Sequence, residues 1–265
     1  AGALALALTA GTASAQFTNT YIFGDSLSDA GVFGARFTTN PGLTAPMYVG
    51  QNWGITSTPF TANGNDWAIG GARVNTPQGN LPAGLPDLSV TAQVNTFLAK
   101  GPLDPNALYQ IQGGANDIFQ LAPLYAANPA AVQAAVGQAA RDLATAVGLL
   151  KAAGAQYVVV QNLPDIGKTP LAASQGPQGQ ALFNGLSTLY NSTLNAAIGA
   201  ANLNVIQFNA FALATETAAN PALFGFVNAT TPACTTPSSL ACTPSTLVAP
   251  NANTNYVFAD GVHPT

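Results

Sequence analysis

The stretch that decides the fold is NPAAVQAAVGQAARDLATAVGLLKAAGAQYVVV, residues 128–160. The side chain of Asn128 can cap a helix, and Pro129 suits the first helical position because the amide proton it lacks would be unpaired there anyway. Val132, Val136, Ala140, Leu143, Val147 and Leu150 then recur at steps of three and four, which builds one apolar stripe. Gly154 supplies a left-handed stop. Tyr157-Val158-Val159-Val160 follows as a short apolar run. A long amphipathic helix leading directly into a β-branched run is the helix–strand unit of a parallel sheet.

On either side the pattern repeats. Tyr21-Ile22-Phe23, Ala107 to Gln112 and Asn204 to Phe208 read as further buried parallel strands, each short, apolar and followed by Gly, Asn or Asp. A further short strand is expected to lead into Ala68-Ile69-Gly70-Gly71. Helices are predicted from about Pro177 to Ala201, burying Leu182, Leu186, Leu189, Leu194 and Ile198, and from Leu88 to Lys100. This alternation predicts an α/β fold with helices on both faces of the sheet. Chemistry is then expected in the loops at the carboxyl ends of the strands. Neither a repeat nor a linker divides the chain. Residues 228 to 255 read as one long Thr/Pro/Asn-rich loop, a length that marks it as functional or stapled.

Composition narrows the function. Of 265 residues, 48% are apolar, which fits a packed core, but only 6% are charged, so the surface must be made polar by Asn, Gln, Ser and Thr. The six basic residues are scattered and the net charge is −4; this leaves no footprint for a phosphate backbone and sets nucleic acid aside. Residues 4 to 10 are apolar, and Ala13-Ser14-Ala15 has the small-residue pattern of a signal-peptide cleavage site. Residues 1–16 are accordingly read as a signal-peptide remnant, with an Ala-rich helix of the fold as the alternative, and residues 17–265 as the functional domain. In an exported chain, Cys234 and Cys242 are expected to form a local disulfide. Metal binding is the weaker alternative, because two Cys and one His do not fill a zinc site without carboxylates.

The rarest residue leads to the chemistry. The single histidine, His263, stands in Asp260-Gly261-Val262-His263, a spacing that lets a carboxylate reach an imidazole across a turn and fix its tautomer. Alone, the motif is equally a surface turn. In Phe23-Gly24-Asp25-Ser26-Leu27 a strand ends in Gly-Asp and a serine follows, which suits either a nucleophile or a helix N-cap. Gly113-Gly114-Ala115-Asn116-Asp117 also follows a strand; its glycines allow close approach of a ligand, and the Asn116 amide can donate two hydrogen bonds. Trp67-Ala68-Ile69-Gly70-Gly71 offers glycine amides of the same use. Either glycine segment is also a plain turn signal.

Together these blocks resemble the GDSL, or SGNH, hydrolases over nearly the whole of residues 17–265. The blocks come in order: Gly24-Asp25-Ser26-Leu27-Ser28-Asp29, Gly71, Gly114-Ala115-Asn116-Asp117, and Asp260-Gly261-Val262-His263-Pro264. Within that family, Asn106-Ala107-Leu108-Tyr109 and Val158-Val159-Val160 with Leu163-Pro164-Asp165 look most like the esterase passenger domains of bacterial autotransporters. The resemblance implies a flavodoxin-like three-layer αβα sandwich and a serine esterase or lipase that needs no cofactor and no metal. Ser26 would be the nucleophile, His263 the base and then acid, and Asp260 its orienter. The N–H groups of Ser26 and Gly71 and the Asn116 side chain would form the oxyanion hole.

A carbohydrate acetylesterase or a phospholipase on the same site is the alternative within enzymes, and a non-catalytic exported binding passenger the alternative outside them. The expected partner is a small-molecule or lipid ester, met by a monomer outside the cell or at a bacterial outer-membrane surface. Relatives of this kind continue past the His-Pro-Thr turn with a helix and a membrane barrel, so the ending at Thr265 reads as a truncation. Phe33, Phe37, Trp53 and Phe60 are candidates for an acyl site, although most are expected in the core. One departure from the family is Asp66, where Asn is usual; an altered loop hydrogen bond is expected there.

Overall fold

In the computed structural model, which describes residues 17–78, 84–85 and 88–265, the Asn128 side chain accepts the Ala131 N–H at 3.1 Å. It opens a helix of 24 residues. At the other end the Gly154 N–H bonds to the Lys151 carbonyl and the Ala155 N–H to the Leu150 carbonyl. This is the paired closure that a positive-φ glycine permits, and Gly154 has φ +106°. The strand after it lies in a parallel sheet, as its apolar run requires. The proposed signal segment, residues 1–16, lies outside the described residues.

The elements in chain order are β1 (Thr20–Phe23), α1 (Ala45–Asn52), α2 (Val90–Leu98), β2 (Leu108–Ile111), α3 (Ala115–Leu121), α4 (Pro129–Ala152), β3 (Tyr157–Gln161), α5 (Pro170–Ser174), α6 (Gly176–Ala200), β4 (Ile206–Phe208), α7 (Ala210–Ala219), β5 (Asn228–Pro232), α8 (Ala252–Asn255) and β6 (Tyr256–Phe258). The main sheet has the order β1-β2-β3-β4, all parallel, with Thr20 beside Leu108, Leu108 beside Tyr157 and Val159 beside Ile206. The segment expected to lead into Ala68 pairs along the free edge of β1: Ile22 N–H bonds to the Asn65 carbonyl, Trp67 N–H to Ile22, and Ile69 N–H to Gly24. Counting it, the second segment in sequence lies outside the first, which is the flavodoxin-like doubly wound order.

Helices cover both faces. Phe23, Tyr109, Ile111, Val158 and Val160 share one buried cluster with the apolar stripes of α2, α4 and α6. On the other face α1 approaches closely, for the Pro46 carbonyl accepts from Gln110 Nε2 at 3.2 Å. The α/β sandwich read from sequence is therefore the one observed.

Two readings are corrected. β4 is parallel but not buried: Ile206 and Phe208 are 53% and 42% exposed, because it is the edge strand and its apolar composition does not distinguish an edge from a centre. Residues 228–255 are not one loop, since β5 pairs in parallel with β6. Cys234 and Cys242 form a disulfide beside this small sheet.

Candidate active site

β1 delivers its chain to the carboxyl edge of the sheet, and the turn after it is held from two directions. Gln93, on the buried stripe of α2, accepts the Gly24 N–H at 2.9 Å and donates to the Gly24 carbonyl at 2.9 Å. Gln112, one residue beyond β2, donates to Asp25 Oδ1 at 2.7 Å and reaches Ser28 Oγ at 3.2 Å. A Cβ on residue 24 would meet the end of the Gln112 side chain, so a larger residue there would have to displace the brace on Asp25. Ser26 stands on this braced turn with 8% of its surface exposed.

From the opposite end of the chain, β6 brings in Asp260 and His263. His263 Nε2 lies 2.9 Å from Ser26 Oγ, and His263 Nδ1 lies 2.8 Å from Asp260 Oδ2 and 3.0 Å from Oδ1. Burial alone would raise the Asp260 carboxyl. Hydrogen bonding and charge attraction from His263, with the N–H groups of His263 and Val262, outweigh it and hold the group well below the ordinary carboxylate range. Asp260 is therefore an acceptor only, and Nδ1 must donate to it. In the neutral ring Nε2 is then left as an acceptor facing the Ser26 hydroxyl. Such an array can take a proton from the hydroxyl as its oxygen attacks an electrophile.

The oxyanion-hole candidates meet through one turn, residues 70–72. Gly70 N–H donates to Asp29 Oδ2 at 2.8 Å, which ties the turn to the Ser26 block. The Asn116 amide donates to the Ala72 carbonyl at 3.0 Å, and the Val74 N–H donates to Asp117 Oδ2 at 3.0 Å; these tie it to the Asn116 block. One Asn116 hydrogen thus orients the amide, and a primary amide has a second to offer. Gly71 has φ +80°, a conformation that calls for glycine. The structure therefore brings Ser26, His263 and Asp260 into one hydrogen-bonded line and joins the Gly71 and Asn116 segments to the same rim.

Several residues here carried little signal in the sequence. Gln93 occupies an apolar helical stripe with Val90, Val94 and Phe97, so a buried polar residue on that face was the only clue. Asp29 accepts from Gly31 and Val32 N–H as well as from Gly70, a role that its place in the first block does not reveal. Of the four aromatic candidates, Phe60 stacks on Trp67 and Trp53 packs against Phe17. Phe37 packs against His263 and Phe33 against Phe37.

A family model described as GDSL-like Lipase/Acylhydrolase matches residues 21–265. A Pseudomonas putida protein named only by its position in the trpE-trpG intergenic region is 33% identical over 285 residues, covering 96% of this chain and 47% of its own length. Esterase EstA of Pseudomonas aeruginosa is 34% identical over 302 residues, covering 96% of this chain and 45% of its own. Lipase 1 of Photorhabdus luminescens is 26% identical over 334 residues, covering 100% of this chain and 50% of its own. The chain spans about half the length of these curated relatives.

Proposed function

The chain belongs to the GDSL-like lipase/acylhydrolase family, and from that premise we propose that it hydrolyses carboxylic esters through an acyl-serine intermediate on Ser26. Ser26 Oγ attacks the ester carbonyl as His263 Nε2 takes the hydroxyl proton. The oxyanion is held by the N–H groups of Ser26 and Gly71 and by the Asn116 amide. Collapse breaks the bond to the alcohol oxygen, and the imidazolium returns its proton to that oxygen. A water then attacks the acyl carbon, with His263 again accepting the proton, and the acid is released as Ser26 is restored. Asp260 keeps the imidazole in the tautomer that both steps use.

The observation that carries this reading is the unbroken line Ser26 Oγ–His263 Nε2 and His263 Nδ1–Asp260, at 2.9 and 2.8 Å. A buried serine whose hydroxyl faces a carboxylate-backed imidazole is built for nucleophilic attack. A fluorophosphonate probe is expected to label the protein at Ser26, and Ser26→Ala is expected to lose labelling together with at least about 10³-fold of its turnover on p-nitrophenyl butyrate. Parent-level hydrolysis by the alanine variant would remove Ser26 from the mechanism.

The proposal extends to location and partner: an exported monomer acting on small-molecule or lipid esters, outside the cell or displayed at an outer membrane as an autotransporter passenger. The apolar run at residues 4 to 10, the small residues Ala13-Ser14-Ala15 and the Cys234–Cys242 disulfide support export.

A further inference from the structure

The flank of the imidazole is lined by aromatic rings. The Phe37 ring lies 4.9 Å from His263, centroid to centroid, with the planes 39° apart. Phe33 meets Phe37 edge-on at 5.5 Å. Both rings rest on the backbone of Gly70, where an added Cβ would overlap the edge of Phe37 and touch Phe33. The two phenyl groups therefore fill the space between the imidazole and the turn carrying Gly71, and both keep part of their surface exposed.

This wall is held in place by its own loop. Arg36 Nε donates to the Gly42 carbonyl at 2.5 Å and Nη2 to the Pro41 carbonyl at 2.6 Å. Asn40 donates from Nδ2 to the carbonyls of Arg36 at 2.9 Å and Ser239 at 3.0 Å, and from its backbone to the Cys242 carbonyl at 2.9 Å. The only cation of the loop is thus spent on backbone carbonyls, and the rings are ordered before any ligand arrives, which lowers the ordering cost of binding.

We propose that Phe33 and Phe37 form the wall of the alcohol-side subsite and select esters of apolar, aryl or bulky alkyl, alcohols. The inference rests on ester hydrolysis through Ser26 and His263. In that reaction the imidazole protonates the departing alkoxide, so the alcohol leaves along the imidazole, and side chains packed on its flank border the alcohol and not the acyl chain. An apolar alcohol covers the exposed part of the two rings, whereas a short one leaves it wet.

The test is kcat/KM of the full chain on methyl acetate, 1-naphthyl acetate and methyl octanoate, because that ratio reports acylation whatever limits turnover. Taking each variant relative to the parent on the same ester cancels intrinsic reactivity. Phe37→Ala is expected to lose about tenfold on 1-naphthyl acetate while staying within about twofold on the two methyl esters, and Phe33→Ala to lose less in the same direction. Equal losses on all three esters would mean that Phe37 only steadies His263, and selective loss on methyl octanoate would assign the wall to the acyl chain. Either result, or no change on any ester, overturns the proposal. Should an alanine variant fail to fold by far-UV circular dichroism, Phe37→Leu keeps an apolar side chain and is expected to lose selectively on the naphthyl ester. Failure of the underlying reading looks different: the parent itself is not labelled by a fluorophosphonate and cleaves none of the three.

Discussion

Asp260 and Asp117 are both largely buried acids of the same constellation, yet their surroundings drive them apart. Asp260 accepts from Ser239, Val262 and His263 N–H and from the imidazole, so its charge is compensated. Asp117 has the Val74 N–H and a more distant Arg73 against a larger burial cost, and its carboxyl is pushed up to about 6. A folded-state value raised above the ordinary 3.8 contributes stability that is complete below that value and is lost as pH rises through about 6. A shift of this size corresponds to roughly 3 kcal/mol. Asp117→Asn is therefore expected to flatten the fall in unfolding free energy between pH 4 and pH 7.5, as measured by urea titration at each pH. Parallel curves for parent and variant would show that Asp117 does not titrate there. Asp66, the departure seen in the sequence, accepts the Ala68 N–H at 2.9 Å through Oδ1. Burial, and then the charge of Asp29, push its carboxyl far up. This bond lies in the pairing beside β1 and touches none of Ser26, His263 and Asp260. Ser26, His263 and Asp260 were singled out because their blocks, taken together, resemble those of one family and His263 is the only imidazole of the chain. Gln93 and Gln112 were not, because a glutamine in an apolar helical stripe, or just past the end of a strand, looks like an imperfection until its partners are known.

The elements divide in the same way. β1, β2, β3, α4 and α6 follow from apolar runs and stripes that local rules suffice to read, since their burial is set by their own composition. β5 and β6 escaped because Asn228-Ala229-Thr230-Thr231-Pro232 has no apolar alternation; it is a strand only because Tyr256–Phe258 lies alongside. This pair, with the disulfide, is what holds His263. Cys234 N–H bonds to the Ala259 carbonyl, Ala259 packs in one buried cluster with both cysteines, and the turn between the cysteines supplies the Ser239 N–H to Asp260 Oδ2 at 2.7 Å. Replacing both cysteines by serine is expected to cost about 2–3 kcal/mol in the chain-entropy model, and about tenfold in kcat through the loosened hydrogen bond to a charged group. Thermal melts and initial rates on p-nitrophenyl butyrate check the two effects separately. An unchanged kcat would show that the Ser239 amide stays on Asp260 without the staple.

Taken as a whole, the molecule joins two bodies of unequal size along the line from Ser26 through His263 to Asp260. The Ser26 turn and the Gly71 and Asn116 segments are built on the main sheet, whose core runs through α2, α4 and α6. Asp260 and His263 ride on a two-stranded sheet whose own buried cluster is Cys234, Cys242 and Ala259 with Leu247 against it. Ser26 and His263 are 237 positions apart in the chain, so their bond exists only while the smaller body is docked. Regions with few buried apolar contacts open at lower free energy than the global transition. Activity is therefore expected to disappear at lower urea concentration than far-UV ellipticity, which reports mostly α4 and α6. Reduction of the disulfide is expected to widen the interval, because it weakens the smaller body and leaves the larger core untouched. Denaturation followed by both probes on the same samples decides the matter. Coincident midpoints, before and after reduction, would mean that the two bodies unfold as one and that the line Ser26–His263–Asp260 is as durable as the sheet beneath it.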